Sequence, residues 1–256
     1  MLTMYFKKDN LGVKIYDSRK CMGEGAAADA AAYIGSLLAD REHVNIIFAA
    51  APSQNEFLEA LLQTDIDWGR VNAFHMDEYI GLPGDAPQGF GNYLRRTIFG
   101  RAPFRSVHYI DGQAAPEETC RRYSGLLMEN PADIVFMGIG ENGHIAFNDP
   151  HVADFRDTRM MKVVDLDEKC RMQQVHDGCF RTIDEVPSFA LTLTVPALMS
   201  AGRIFCIVPS GTKSAAVKTA LDGDISESCP ASILRTKPEA TLYLDRDSSR
   251  LLGIES

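Results

Sequence analysis

Short apolar runs rich in valine, isoleucine and phenylalanine recur along this chain, and they are continuous. Val44–Ala50 reads VNIIFAA, and Val71–Phe74, Val107–Ile110, Ile134–Met137, Leu191–Val195, Ile204–Val208 and Thr241–Leu244 follow suit. A strand wetted on one face alternates apolar with polar residues, whereas an unbroken run marks a strand buried on both faces. Between the runs, Gly25–Ala39, Asn55–Gln63, Pro116–Met128 and Thr212–Leu221 read as helices. Pro116 suits a first helical turn, and Glu117 and Glu118 behind it face the positive end of the helix dipole. Strands alternating with helices predict an α/β fold, a mostly parallel sheet with helices on both faces. Ligands of such sheets sit beyond the carboxyl ends of the strands, so functional residues are expected just after them.

The 256 residues contain no repeat, low-complexity tract or Pro/Ser-rich linker, and residues 1–256 are read as one domain. With 26 Lys+Arg against 35 Asp+Glu, the formal charge is −9. That balance argues against a nucleic-acid partner, while leaving room for an anionic small ligand in a local pocket. The six cysteines are scattered, with no C-x-x-C and no accompanying His-x-His cluster. They read as reduced thiols, and no metal is predicted. The first ten residues carry charge where a secretory signal needs an apolar core, and no apolar stretch is long enough for a membrane helix. A cytoplasmic location without a membrane partner is expected. Self-association into a homo-oligomer is left open.

The most informative chemistry lies in Val135–Pro150, VFMGIGENGHIAFNDP. A strand runs into glycines that let the backbone approach a ligand. His144 follows, suited to moving protons near neutral pH, with Asp149 five residues on to orient its ring. Gly138, Gly140 and Gly143 satisfy G-x-G-x-x-G, but a dinucleotide fingerprint needs a helix opening at the third glycine. Here the segment runs into Pro150, which disfavours helix before it, so a nucleotide cofactor is rejected. A tight turn with a buried histidine is the plainer alternative.

Three other segments follow strands. Ala51-Pro52-Ser53-Gln54-Asn55 opens a helix, where backbone N–H groups favour anions; as a plain cap, Ser53 or Asn55 would serve. Phe74–Tyr79 places Asp77 and Glu78 together after a strand, where burial can tune a carboxylate into a base; solvated acids are the alternative. Pro209-Ser210-Gly211-Thr212-Lys213 brings hydroxyls, amides and a lysine, the groups a phosphate prefers, although it is not a Walker A loop. Gly81–Asn92 holds four glycines and two prolines and is expected to be a long loop, a lid over the site. Together these residues suggest proton transfer on a phosphorylated substrate without a cofactor.

FHMDEYIGL, GIGENGHIAFNDP, VPSFALTLTV and SGTKSAAV resemble the long motifs of the glucosamine-6-phosphate deaminase family, within the wider group that includes 6-phosphogluconolactonases. The resemblance runs from about Val44 to the end. It implies a modified doubly wound, Rossmann-like sheet and a phosphorylated amino sugar as partner. The implied reaction is ring opening, aldose-to-ketose isomerisation and loss of ammonia, giving fructose 6-phosphate. By the same resemblance Asp77 is the base moving the proton between C2 and C1. His144 opens the ring with Asn142 and Asp149 in support, and Ser53, Gly143, His176 and Lys213 bind substrate or phosphate.

The sequence departs from the family at three places. Ala50–Gln54 replaces a loop rich in Gly, Ser and Thr. Asp149 replaces a glutamate one methylene longer, and is expected to reach His144 only if the backbone shifts. His176 stands where many members carry a substrate-facing arginine, while Arg171 matches an earlier one. The chain also stops at Ser256, short of the tail of allosteric members, so no amino-sugar activator site is expected.

Three rivals remain. A 6-phosphogluconolactonase would show G-H-T-A-S-L-F-P after the glycines rather than the carboxylate of Asp149. A sugar-phosphate sensor would carry a helix-turn-helix module. A deaminase for another hexosamine phosphate, such as galactosamine 6-phosphate, stays open through Ser53 and His176.

Overall fold

In a computed structural model, which describes residues 1–253, the chain builds two sheets. The larger contains β1 (Leu2–Lys8), β2 (Leu11–Tyr16), β3 (Val44–Phe48), β4 (Val71–His75), β6 (Ser106–His108), β7 (Ile134–Met137), β10 (Arg203–Val208) and β11 (Ala240–Leu244). Their spatial order is β1-β2-β11-β10-β7-β3-β4-β6. Among the described residues its β1–β2 hairpin is antiparallel and the other neighbours are parallel. The smaller sheet, β5 (Asp77–Tyr79), β9 (Phe189–Leu193) and β8 (Met161–Asp165) in that order, is antiparallel.

The unbroken apolar strands are the central ones. All five residues of β3 are buried, and its side chains divide between two cores. Val44, Ile46 and Phe48 face α1 (Arg19–Asp40) and α2 (Asn55–Leu62), where Ala26, Ala30, Ile34, Phe57 and Leu61 meet them. Ile47 faces the other layer, which includes α4 (Pro116–Glu129) and α7 (Ser214–Asp222) through Tyr123, Leu127, Ala216 and Val217. Full burial of a side chain such as Phe48 stabilises by roughly 1.5–3 kcal/mol, which explains why both layers are needed. Ser18 accepts from the Cys21 amide at the start of α1, and Pro116 occupies the first turn of α4.

Several expectations change in detail. The Leu191–Val195 run forms β9, in the small antiparallel sheet rather than the parallel one, and its last residue already opens α6 (Val195–Met199). The helix placed at Gly25 begins six residues earlier, at Arg19. Gly81–Asn92 is irregular only to Gly89, because α3 (Phe90–Leu94) starts there. Neither Ser53 nor Asn55 caps α2, whose cap position is Gln54 without a side-chain bond. All six cysteines are free. No helix among the described residues is long and apolar enough to cross a membrane.

Candidate active site

The sheet order reverses between β3 and β7, since the chain leaves β3 toward β4 and leaves β7 toward β10. A crevice is expected outside the carboxyl ends at such a switch point. The segments after β3, β4 and β7 line a cleft there, including Ser53, Gln54, Asp77, Gly140, His144 and Phe147. Asp77 and His144, 67 residues apart in the chain, therefore share one cavity.

Asp77 is the first residue of β5, one residue beyond the turn at Met76 that carries the chain from the large sheet to the small one. It pairs with Thr192 across β9 and is only 6 % exposed. Burial, reinforced by the neighbouring charge of Glu78, pushes its carboxyl well above the usual range. Glu78 points elsewhere. Its Oε1 accepts from the amides of Tyr79 at 2.9 Å and Phe90 at 3.0 Å, and its Oε2 from Gly91 at 2.8 Å. Burial raises Glu78 despite those bonds. Its role is to tie the start of α3 to β5, which brings Phe90 into the cleft against Phe147. His75, just before, is fully buried, and burial lowers it to about 4. Its ring meets the Asp77 carbonyl at 3.0 Å and the Ile110 amide at 2.9 Å, so it is a strut within the core.

His144 is held from behind. Its Nδ1 is 2.7 Å from Asn142 Oδ1 and 3.0 Å from Asp149 Oδ1. Two oxygens facing Nδ1 assign the ring proton there and leave Nε2 as the acceptor. Asp149 thus reaches the ring although it is shorter than the family's glutamate. Asn142 Nδ2 donates to Asp149 Oδ1 and to Asp167 Oδ2, both at 2.9 Å, and Asp149 Oδ2 accepts from the Asp167 amide at 3.2 Å. Burial alone would raise Asp149; the bonds from His144, Asn142 and Asp167 outweigh it and hold the carboxyl below its usual value. Gly140 lies under the imidazole, where a Cβ would sit 2.1 Å from Cε1. The loop ends at Phe147, whose amide donates to Thr192 Oγ1 at 3.0 Å, and at Asn148, whose Nδ2 donates to Leu193 O at 2.9 Å.

The other sequence candidates divide. Ser53 lines the cleft and accepts from Gln54 Nε2 at 3.2 Å. Lys213 follows β10, is 3 % exposed and, like Gly143, is not among the residues lining the cleft, and no group among the described residues is within hydrogen-bond reach of its Nζ. Burial lowers its pKa, opposed by the charges of Asp177 and Glu141. A buried ammonium without a bond is costly and invites an anion. Gly143 does not line the cleft. Its amide donates to Gly140 O and its carbonyl accepts from Ala231, and at φ 88° with Cys229 Sγ 2.7 Å from any Cβ, only glycine fits. His176 is not among the cleft-lining residues; its side chain is 52 % exposed and meets Glu141 Oε2 at 3.2 Å, on the loop that carries Gly140. Its helix, α5 (Glu168–His176), presents Gln173 and Gln174 to the cleft. His176 is one turn beyond Gln173 on the same helix face, so it stands at the end of α5 beside the cleft rather than in its lining. Gln173 and Gln174 were not singled out from the sequence, and their signal is two buried amides in a helix without an apolar stripe.

Two groups of side chains have metal-ligand spacing, His144 with Asp149 and Cys170, and Asp149 with His151 and Asp167.

The fold and cleft are those of an open α/β sheet with a crevice at its topological switch point. Residues 17–243 match the family described as glucosamine-6-phosphate isomerases/6-phosphogluconolactonase, and the chain belongs to that family. It is 33% identical over 211 residues to a glucosamine-6-phosphate deaminase of Listeria innocua, covering 82% of this chain and 88% of the relative. It is 31% identical over 219 residues to the deaminase of Bacillus cereus, covering 85% and 82% of the two chains. The structure of a monomeric glucosamine-6-phosphate deaminase superposes with a TM-score of 0.84 at 28% identity, over 93% of this chain and 99% of that one. A 6-phosphogluconolactonase from Thermotoga maritima shares the fold, with a TM-score of 0.74 at 18% identity over 91% and 98% of the chains.

Proposed function

We propose that this protein converts glucosamine 6-phosphate and water to fructose 6-phosphate and ammonia. The observation that carries the proposal is the shared cleft of Asp77 and His144. His144 takes the anomeric hydroxyl proton on Nε2 and returns a proton to the ring oxygen, opening the pyranose. Asp149 and Asn142 hold the ring in that tautomer and stabilise the imidazolium between the two transfers. Asp77 then removes the weakly acidic C2 proton and delivers it to C1 through an enolamine. Its raised pKa makes it a stronger base than a solvated aspartate. Water adds at C2 and the amine departs as ammonia, so the net change is hydrolytic deamination with internal isomerisation. Carbons 1 and 2 exchange oxidation levels and nothing leaves with electrons, so acid–base groups alone suffice and no redox cofactor is required.

The ammonium of Lys213, buried without a partner, is assigned to the phosphate, with Ser53 contributing a hydroxyl. Residues 1–256 are taken to act as one domain in the cytoplasm, on a phosphorylated amino sugar.

The test is ammonia release from glucosamine 6-phosphate in the presence of EDTA, run beside galactosamine 6-phosphate and 6-phosphogluconolactone. Ammonia from the first substrate supports the proposal. Acid from the lactone without ammonia from either amino sugar assigns the chain to the lactonase side of the family.

A further inference from the structure

Cys170 lies in the first turn of α5, and the proposed reaction leaves it without a task. It is 1 % exposed, and its thiol stands beside the Asp149 carboxylate. Ligand atoms from His144, Asp149 and Cys170 all lie within 4.8 Å of one another. One nitrogen, one oxygen and one sulfur is a donor set for zinc or cadmium and a poor one for magnesium. Tetrahedral bonds of about 2.0–2.3 Å place ligand atoms roughly 3.3–3.7 Å apart, so small side-chain rotations close the set. The supporting shell exists already: Asn142 and the Asp167 amide orient Asp149, and outer partners of this kind fix metal ligands. His144 lines the cleft, which gives an ion a way in.

We propose that His144, Asp149 and Cys170 form an inhibitory site for a borderline-soft divalent cation of the zinc class. The ion inserts between Asp149 and the imidazole nitrogen facing it, Nδ1. The ring proton moves from Nδ1 to Nε2, and the Cys170 thiol gives its proton to solvent. The cation, a carboxylate, a thiolate and a neutral imidazole sum to zero charge. With Nε2 protonated, His144 cannot accept the sugar hydroxyl proton, and ring opening stops. The fourth position on the metal stays open to water.

Only the inhibition rests on the proposed deaminase reading; binding of the ion does not. The full chain, stripped with EDTA, is dialysed against Cd2+, Zn2+ or Mg2+ and read by bound metal and by the ultraviolet cadmium–thiolate band. One tight equivalent of Cd2+ or Zn2+ is expected, with none for Mg2+. Cys170→Ser and Cys170→Ala, checked for folding by thermal melting, should weaken that equivalent at least about tenfold and remove its share of the band. Unchanged affinity in both variants overturns the site. In the ammonia assay, Zn2+ should inhibit the parent protein and spare Cys170→Ser, while basal turnover persists; equal inhibition of both overturns the inhibitory role. If the parent releases no ammonia but the cadmium equivalent still depends on Cys170, the site stands and the deaminase reading falls.

Discussion

The imidazole of His144 rests on Gly140 so closely that a Cβ at residue 140 would sit 2.1 Å from Cε1 and 2.3 Å from both ring nitrogens. A methyl there cannot be accommodated by the tip of a flexible chain, because Nδ1 is committed to Asn142 and Asp149. Gly140→Ala is therefore expected to swing the ring off its two oxygens. Turnover should fall by about 10²-fold or more, since a general acid–base group contributes roughly 10²–10⁴-fold. Unchanged kcat would mean that the ring orientation is irrelevant to the rate.

Asp77→Asn should abolish most turnover, by roughly 10²–10⁴-fold, while substrate binding survives. The same change should stabilise the fold at neutral pH. Asp77 titrates well above its ordinary value of 3.8. Its stability contribution is therefore complete below that value and is lost as the pH climbs through the raised one. Asparagine carries no such loss. Melting curves should coincide for the two proteins near pH 4 and separate above it, with the variant ahead by roughly 1–3 kcal/mol, the scale of an unsatisfied buried group. A variant that melts lower at pH 8 contradicts this account.

Lys213→Met replaces a buried, unbonded ammonium with a neutral chain of similar length. Because burial depresses Lys213, its cost grows as the pH falls from the ordinary lysine value of 10.5 to the depressed one and is constant below it, and the variant should equal or exceed the parent in free-state stability at pH 7. Inorganic phosphate should raise the melting temperature of the parent alone. Affinity for the phosphorylated sugar should drop about tenfold or more, because a charged hydrogen bond contributes roughly 1.5–3 kcal/mol. Retained phosphate stabilisation in the variant would place the anion elsewhere.

Glu78 gathers three amides, that of Tyr79 in β5 and those of Phe90 and Gly91 at the start of α3. Glu78→Ala leaves them buried and unmatched, at a cost of roughly 1–3 kcal/mol per group, and frees Phe90 from the cleft. A clear loss of stability with a raised KM is expected, and Glu78→Gln, which keeps one acceptor oxygen, should recover part of both. Hydrogen exchange at Phe90 and Gly91 reports the loosening directly.

The strands that were readable from sequence were those with no wet face. β3, β7 and β10 lie in the middle of the large sheet, and their unbroken apolar runs follow from burial on both sides. β1 is an edge strand with mostly exposed or half-buried residues, and its lysines hid it. Leu191–Val195 was recognisable as a strand, yet composition does not say which sheet receives it. The pair His144 and Asp149 was visible because a local loop carries both. Gln173 and Gln174 reach the same cleft from a helix about 30 residues later, and only tertiary packing reveals that. His176 ends the same helix, one turn past Gln173, and meets Glu141 of the glycine loop.

One strand fixes both ends of the proposed proton relay. Thr192 of β9 stands opposite Asp77 and also receives the Phe147 amide that closes the His144 loop. A slip of β9 by a single residue would turn Thr192 to the opposite side of the pleat and uncouple the two groups at once. The gap that a migrating proton must cross is thus governed by strand pairing, a property of the whole small sheet. Thr192→Val, which keeps the shape and removes the acceptor, loosens that gauge without touching either reacting side chain.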